Sequence, residues 1–294
     1  MIKIIKATYG GKDCIDIVTS KIRDNRLILH SNNDIIGDPT PGKLKYLTVE
    51  AEINGVKVVR SIQEGKLLAL PESSNTKLGI FYSNNNIPEI NPAIIASLNS
   101  IYKAAKENVD VYTCMWKHEP KNPFVEYIAW TNTYSHLNQL LQIMQLLYSA
   151  KEIKNYEYVS FLEHDVLYAE GYFDYPDFGP GQVFTNMNYI GMNKDGYQAL
   201  AQRDEPFHQM TMRFEDAIKH CEKILSNALV NNSGNIENQD LIRRQWNSRQ
   251  PSIHINHGHH FTSHYNVYSK TMLFNNHSYW GLHDKWKYLF DETL

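Results

Sequence analysis

Along the first seventy residues, apolar and polar positions alternate in short stretches, at 2–7, 26–30 and most clearly 44–53. A period of two sends one set of side chains to a buried face and predicts strands. The stretch 44–53 meets 56–62 across Asn54-Gly55, a dipeptide that supplies positive φ at both central positions of a two-residue hairpin. The cluster Gly37-Asp38-Pro39-Thr40-Pro41-Gly42 precedes that pair and suits neither a helix nor a central strand. No helical period shows here. The pattern predicts a small all-β domain over residues 1–72, closed by a strand at 67–70 and followed by a polar linker at 71–76.

After the linker the pattern changes. Residues 78–82, 109–116 and 158–162 are apolar runs of the kind buried on both faces of a parallel sheet. Between the first two, Ile94, Ile95, Leu98, Ile101, Tyr102 and Ala105 recur at helical spacing over 92–106, with Pro92 suited to a first turn. Ser135 can cap a further helix whose apolar face carries Leu137, Leu140, Leu141, Met144, Leu147 and Tyr148. Residues 182–192 read as another strand and 214–229 as another amphipathic helix. This alternation predicts an α/β domain over 77–294, with a mostly parallel sheet, helices on both faces and ligands beyond the carboxyl ends of the strands.

Composition narrows the class. The 294 residues are 42% hydrophobic and 21% charged, with a net charge of −3, which argues against coating nucleic acid by charge alone. No apolar run approaches the roughly 20 residues needed to cross a bilayer, and residues 1–13 contain no signal-peptide core. Cys14, Cys114 and Cys221 match no zinc or redox spacing, so a reduced, cytoplasmic setting is expected. The outliers are 13 His and 19 Tyr.

Candidate chemistry concentrates at Glu163-His164-Asp165, where an apolar strand runs out. Two carboxylates at a ligand-binding sheet edge are costly to bury unless a cation compensates, and Mg²⁺ or Mn²⁺ bridging to a nucleotide diphosphate is one resolution. Solvated acids at a strand-to-loop junction are the other. His254, His257, His259, His260 and His264 crowd around Gly258 more densely than any amphipathic pattern requires. Imidazole joined to carboxylates suits Mn²⁺. Most of these histidines are expected to face solvent or stack on Tyr265 and Tyr268. His257, before the glycine, is expected to matter.

Ser83, Asn84 and Asn86 follow the first strand of this domain, where they could grip a nucleoside or form a plain turn. Asn186 and Asn188 could line an acceptor cleft. Asp110 reads as structural. Asp216 opens a helix, where acids also serve as ordinary first-turn residues. Arg243-Arg244 could meet a diphosphate or solvate a helix, and Trp246, Tyr279, Trp280 and Trp286 could stack on a sugar or fill a core.

The order of these motifs over 77–294 resembles the GT-A class of nucleotide-sugar-dependent glycosyltransferases. Tyr158-Val-Ser-Phe-Leu-Glu163-His164-Asp165 is similar to the strand and acidic pair of that class. Glu237-Asn-Gln-Asp240-Leu-Ile-Arg-Arg244 is similar to its acidic helix motif, although Gln239 stands where Glu is usual. Residues 253–262, around His257-Gly258, are similar to its metal-binding histidine stretch. The resemblance implies a nucleotide-diphosphate sugar as donor. It also implies a divalent metal, Mn²⁺ or Mg²⁺, on Glu163, Asp165 and His257. Asp240 would be the general base if the reaction inverts, with Asp216 its rival.

The acceptor stays open among a protein, a glycan and a hydroxymethylated DNA base. The Asn- and Tyr-rich composition would suit a viral DNA-modifying enzyme working in a host cytoplasm. A non-catalytic nucleotide- or sugar-binding module and a nucleotidyltransferase are the alternatives. Separately, Asn33-Asp34-Ile35-Ile36 with the following Gly-Asp-Pro-Thr-Pro-Gly turn resembles the β-rich domain ending some DnaJ-like subfamily C proteins, which implies an accessory binding module.

Overall fold

The computed structural model describes residues 2–23, 26–53, 55–70, 75–83, 91–106, 108–130, 136–198, 209–231, 241–255 and 273–290. The chain divides into two compact units, Met1–Ser74 and Asn75–Leu294.

The first unit is β-rich. In chain order it contains β1 (Ile2–Tyr9), β2 (Lys12–Asp13), α1 (Ile15–Ser20), β3 (Ile22–Arg23), β4 (Arg26–His30), α2 (Asn33–Ile36), β5 (Tyr46–Ile53), β6 (Val56–Gln63) and β7 (Leu67–Leu70). One sheet has the order β2-β1-β5-β6 and the other β3-β4-β7. Pairing of β5 with β6 closes at Ile53 opposite Val56, and Gly55 takes the positive φ that this tight turn requires. Ile2, Ile4, Ala7, Tyr9, Leu47, Val49 and Leu70 fill the core. The helices α1 and α2 add to the expected strand pattern, and at six and four residues they are too short to display a period. The turn at 37–42 is pinned from beneath. Lys45, buried, meets Asp38 at 3.1 Å and Glu64 at 3.3 Å and donates to the Lys43 carbonyl at 2.9 Å. Burial opposes the lysine's charge, but hydrogen bonds to Asp38 and Glu64 outweigh it and raise its pKa.

The second unit is α/β, with a mostly parallel sheet. It contains β8 (Lys77–Tyr82), α3 (Asn91–Ala105), β9 (Val109–Met115), β10 (Val125–Ile128), α4 (His136–Ile153), β11 (Tyr158–Glu163), β12 (Val166–Leu167), β13 (Gln182–Asn186), β14 (Tyr189–Asn193), β15 (Gly196–Gln198), β16 (Met210–Arg213), α5 (Phe214–Asn231), β17 (Ile242–Trp246), β18 (Ser252–Ile255) and β19 (Leu273–Phe274). A short hairpin and a 3₁₀ segment, His283–Phe290, follow. The main sheet runs β10-β9-β8-β11-β16-β13-β17. Within it β16 is antiparallel to both neighbours, and the other strands share one direction. Both faces are covered. Ile94, Leu98 and Ile101 of α3 pack with Phe81, Val111 and Leu162 on one face. On the other, α4 lies on β8 and β9, where Gln142 donates to the carbonyls of Ser83 and Cys114.

A second sheet, β12-β18-β14-β15-β19, shares its core with Ala93 and Ala96 of α3. The single strand expected over 182–192 is therefore two, one in each sheet. The physical cause is Asn186, whose Oδ1 accepts the backbone N–H groups of Asn188 and Ser248 and turns the chain between sheets. The helix motif to which 237–244 is similar is corrected as well, at its described end. Residues 242–246 form an exposed edge strand beside β13.

Candidate active site

Strand order reverses at β8. The chain moves outward through β9 to β10, then returns to the other side of β8 with β11. In open parallel sheets, ligands bind beyond the carboxyl ends at such a switch point. Here those ends are Tyr82-Ser83 and Glu163-His164-Asp165, because Tyr82 lies opposite Glu163 in the parallel register.

The acidic turn is held from every side. Glu163 ends β11, and His164 and Asp165 make the turn into β12. The Glu163 N–H donates to the Tyr168 phenol oxygen at 2.9 Å. The Tyr168 N–H in turn donates to Ser100 Oγ at 2.9 Å, and Ser97 Oγ donates to the His164 carbonyl at 2.8 Å. From the other direction, the Ile255 N–H donates to the Asp165 carbonyl at 2.7 Å. A site built on strand ends and locked by such bonds keeps its geometry without a ligand.

The two carboxylates have different partners. Tyr82 donates its phenol to Glu163 Oε1 at 2.6 Å. Asp165 is buried, and its Oδ2 lies 3.2 Å from Nε2 of His254, also buried. A buried acid needs such a companion. The phenols of Tyr82 and Tyr168 are held protonated chiefly by burial, helped at Tyr82 by the charge of Glu163 and at Tyr168 by the neighbouring Tyr172, which raises both pKa values well above the usual tyrosine range.

Other sequence-predicted residues fall as follows. Ser83 ends at the switch point, 2% exposed, and its hydroxyl has no hydrogen-bond partner among the described residues. Asn84, Asn86, Asp240 and His257 lie outside the described residues. Asp216 is at the opposite edge of the sheet. It sits in the first turn of α5, after the end of β16 that pairs with the start of β11, and its Oδ2 accepts the Gly181 N–H at 2.6 Å. The structure thus does not bring Asp216 to Glu163 and Asp165. Asn186 and Asn188 brace the loop to Ser248, and Asn188 Nδ2 donates to the Ser248 carbonyl at 2.8 Å. Asp110 accepts from Tyr156 at 2.9 Å and Asn75 at 3.2 Å and pairs with Lys154, a structural network at the amino-terminal edge. Trp280 donates to the Pro251 carbonyl at 2.7 Å, and both Trp280 and Trp286 pack in the core beneath the second sheet.

The sequence pattern points to His257, whereas the histidine that meets Asp165 is His254. The available signal was its setting: an imidazole between Ile253 and Ile255, both fully buried, must have a polar partner. The sequence pattern sets Tyr82 at the end of an apolar run and at the head of the polar segment through Asn86, and assigns it no role toward Glu163. Among the described residues no group of three His, Cys, Asp or Glu side chains converges as a metal cluster. The donor set is nonetheless of the right kind, since two carboxylates two residues apart and an imidazole beside one of them form a mixed N/O set. Among the described residues, no helix is long and apolar enough to cross a membrane.

No protein-family model matches the chain, and no curated protein sequence matches it. Solved structures with similarity include a protein assigned as a nucleotide-diphospho-sugar transferase from Desulfovibrio desulfuricans G20. It is 10% identical, with 60% of this chain and 83% of that one covered and a TM-score of 0.29. The galactosyltransferase LgtC, in complex with donor and acceptor sugar analogues, is 11% identical over 55% of this chain and 66% of that one, with a TM-score of 0.33. A glycosyltransferase involved in glycosylation of the major capsid of PBCV-1 is 10% identical over 64% and 95%, with a TM-score of 0.34. At such scores the chemistry must be argued from this chain's own residues.

Proposed function

We propose that the second unit is a glycosyltransferase that takes its sugar from a nucleotide-diphosphate sugar. The observation that carries this reading is the pair Glu163 and Asp165 at the switch point between β8 and β11, locked in place and beside the buried Ser83, whose hydroxyl has no partner among the described residues. Ser83, with Asn84 and Asn86, is assigned to the nucleoside. Glu163, Asp165 and a C-terminal-region histidine would hold a divalent cation, Mn²⁺ or Mg²⁺. His257 is the sequence candidate, and His254 is the one that meets Asp165. When bound, such a cation neutralises charge on the departing diphosphate.

Asp240 is the proposed base that removes the acceptor hydroxyl proton if the reaction inverts. The contribution of this chain's described residues is positional: Tyr82 fixes the Glu163 carboxylate, and His254 does the same for Asp165. The first unit is proposed as an accessory binding module, as its Gly-Asp-Pro-Thr-Pro-Gly turn implies.

The test is incubation with UDP-, GDP- and CDP-sugars plus Mn²⁺, reading the released product. Nucleoside diphosphate supports the reading, and its release should be lost in EDTA and in Asp165→Asn. Pyrophosphate released from a nucleoside triphosphate and a sugar 1-phosphate, with no nucleoside diphosphate released from the sugar nucleotides, would identify a nucleotidyltransferase, and bound nucleotide with no release a binding module.

A further inference from the structure

Beyond β11, on the side away from Ser83, the strand ends carry a row of side chains that the acidic turn does not use. Antiparallel register sets Thr185 opposite Met210, and hence Asn186 opposite Gln209, while parallel register sets Asn186 beside Trp246. Residues opposite one another in a sheet share a face. Gln209, Asn186 and Trp246 therefore project from one face at the carboxyl edge. Asn186 Nδ2 confirms the placement by donating to Gln209 Oε1 at 3.1 Å.

That bond fixes which end of the Gln209 carboxamide is offered. Its oxygen is engaged and its nitrogen is not. Gln209 is 1% exposed, yet among the described residues Nε2 has no hydrogen-bond partner, and the indole Nε1 of Trp246 is buried and equally without one. Unmet buried N–H groups are rare in native proteins, and each calls for an acceptor. Here two occur in one row, and Asn186, which separates them, is saturated by Asn188, Ser248 and Gln209. Both are donors without a formal charge, which suits hydroxyl or ring oxygens.

Position identifies the ligand group. Neighbouring strands are about 4.8 Å apart, so β16 stands one spacing from the strand of Glu163 and β17 about three. With the nucleoside on the β8 side and the diphosphate at Glu163 and Asp165, the next group of the donor lies over β16. We propose that Gln209 and Trp246 form the subsite for the donor's sugar, each donating to one of its oxygens. This rests on reading the Glu163–Asp165 edge as a nucleotide-sugar site.

The test is calorimetry on the full chain with Mn²⁺, comparing UDP with UDP-glucose and UDP-galactose, and GDP with GDP-mannose. Gln209→Glu keeps an oxygen for Asn186 and replaces the free N–H₂ by an acceptor. Trp246→Phe keeps a ring and removes the N–H. Each should weaken the preferred sugar nucleotide roughly three- to tenfold and leave the matching nucleoside diphosphate unchanged. Loss of affinity for both ligands in equal measure would show a purely structural role and overturn the proposal, as would no loss for either. Should Gln209→Glu melt below the assay temperature, Trp246→Phe decides by the same criterion. A wild-type chain that binds no nucleotide overturns the glycosyltransferase reading and this inference together. A wild-type chain that binds diphosphates, with variants showing no sugar-selective loss, overturns the subsite alone.

Discussion

Gly79 offers a quantitative test of how tightly the candidate site is coupled to the sheet beneath it. It lies in β8, between Ser160 of β11 and Val111 of β9. A Cβ added there would sit 2.9 Å from Leu162 Cδ1, 3.3 Å from Val111 Cγ2 and 3.7 Å from Phe173 Cε1. The first contact is shorter than packed carbons tolerate, and Leu162 is fully buried and adjoins Glu163. Overpacking of this kind costs about 1–3 kcal/mol, while replacing glycine by alanine regains about 0.4–1 kcal/mol by restricting the unfolded chain. Gly79→Ala should therefore destabilise the second unit by about 1–2 kcal/mol. Trp116, Trp130, Trp246, Trp280 and Trp286 are all five tryptophans of the chain and all lie in that unit, so urea unfolding followed by tryptophan fluorescence isolates it. Leu162→Val removes the methyl that the new Cβ would strike and should itself cost about 1 kcal/mol. Because one change relieves the other, the double variant should be about 1 kcal/mol more stable than the sum of the single effects predicts. Strict additivity, or a Gly79→Ala protein as stable as wild type, would refute the argument.

Further expectations follow from other parts of the structure. Tyr82→Phe removes the phenol that donates 2.6 Å to Glu163, and should lower second-unit stability by about 1–2 kcal/mol in the same fluorescence assay. An unchanged midpoint would mean that this bond carries no weight. Burial lowers the His30 pKa from 6.5 to about 4, so its neutral form is favoured in the folded state. That contribution is full above pH 6.5 and is lost as pH falls toward 4. It is worth up to about 3 kcal/mol. A transition seen by far-UV circular dichroism but not by tryptophan fluorescence should move to lower temperature over that interval, and less so in His30→Leu. Burial lifts the Cys14 thiol to about 11 and the Cys221 thiol to about 12, and lifts Cys114 further. A disulfide reagent at pH 8 should therefore label almost none of the three until the chain is denatured.

Much of the second unit's sheet was legible because β8, β9 and β11 are buried on both faces, and such strands announce themselves as unbroken apolar runs. The acidic pair was legible for the same reason, as the place where one run stops. Helix α3 begins at Asn91 with Pro92 in its first turn, where a missing N–H costs nothing. What escaped was whatever depends on partners distant in sequence. Alternation across 182–192 continues through Asn186 although the chain changes sheet there, since a period records which face is buried and not which sheet owns it. Residues 242–246 form an edge strand with little apolar signal, and only pairing with β13 defines it. The bond of Asp165 to His254 joins residues far apart in the chain, brought together by antiparallel pairing of β12 with β18. No local spacing encodes it.

The amino-terminal edge of the second unit has a mechanical consequence. The strand by which the chain enters this unit, β8, is also central to its sheet, gripped along its length by β9 and β11. Just ahead of it, the Thr76 carbonyl accepts the N–H groups of Glu157 and Tyr158, and Asn75 is tied to Asp110 and Lys154. Tension applied through the first unit would therefore reach the second as shear across two ladders at once, after first loading the Asn75 and Thr76 clasp. A fragment trimmed to begin at residue 77 would lose that clasp and leave four neighbouring groups to find water. Cutting before Asn75 keeps the strand anchored and lets the two units be pulled, or expressed, apart.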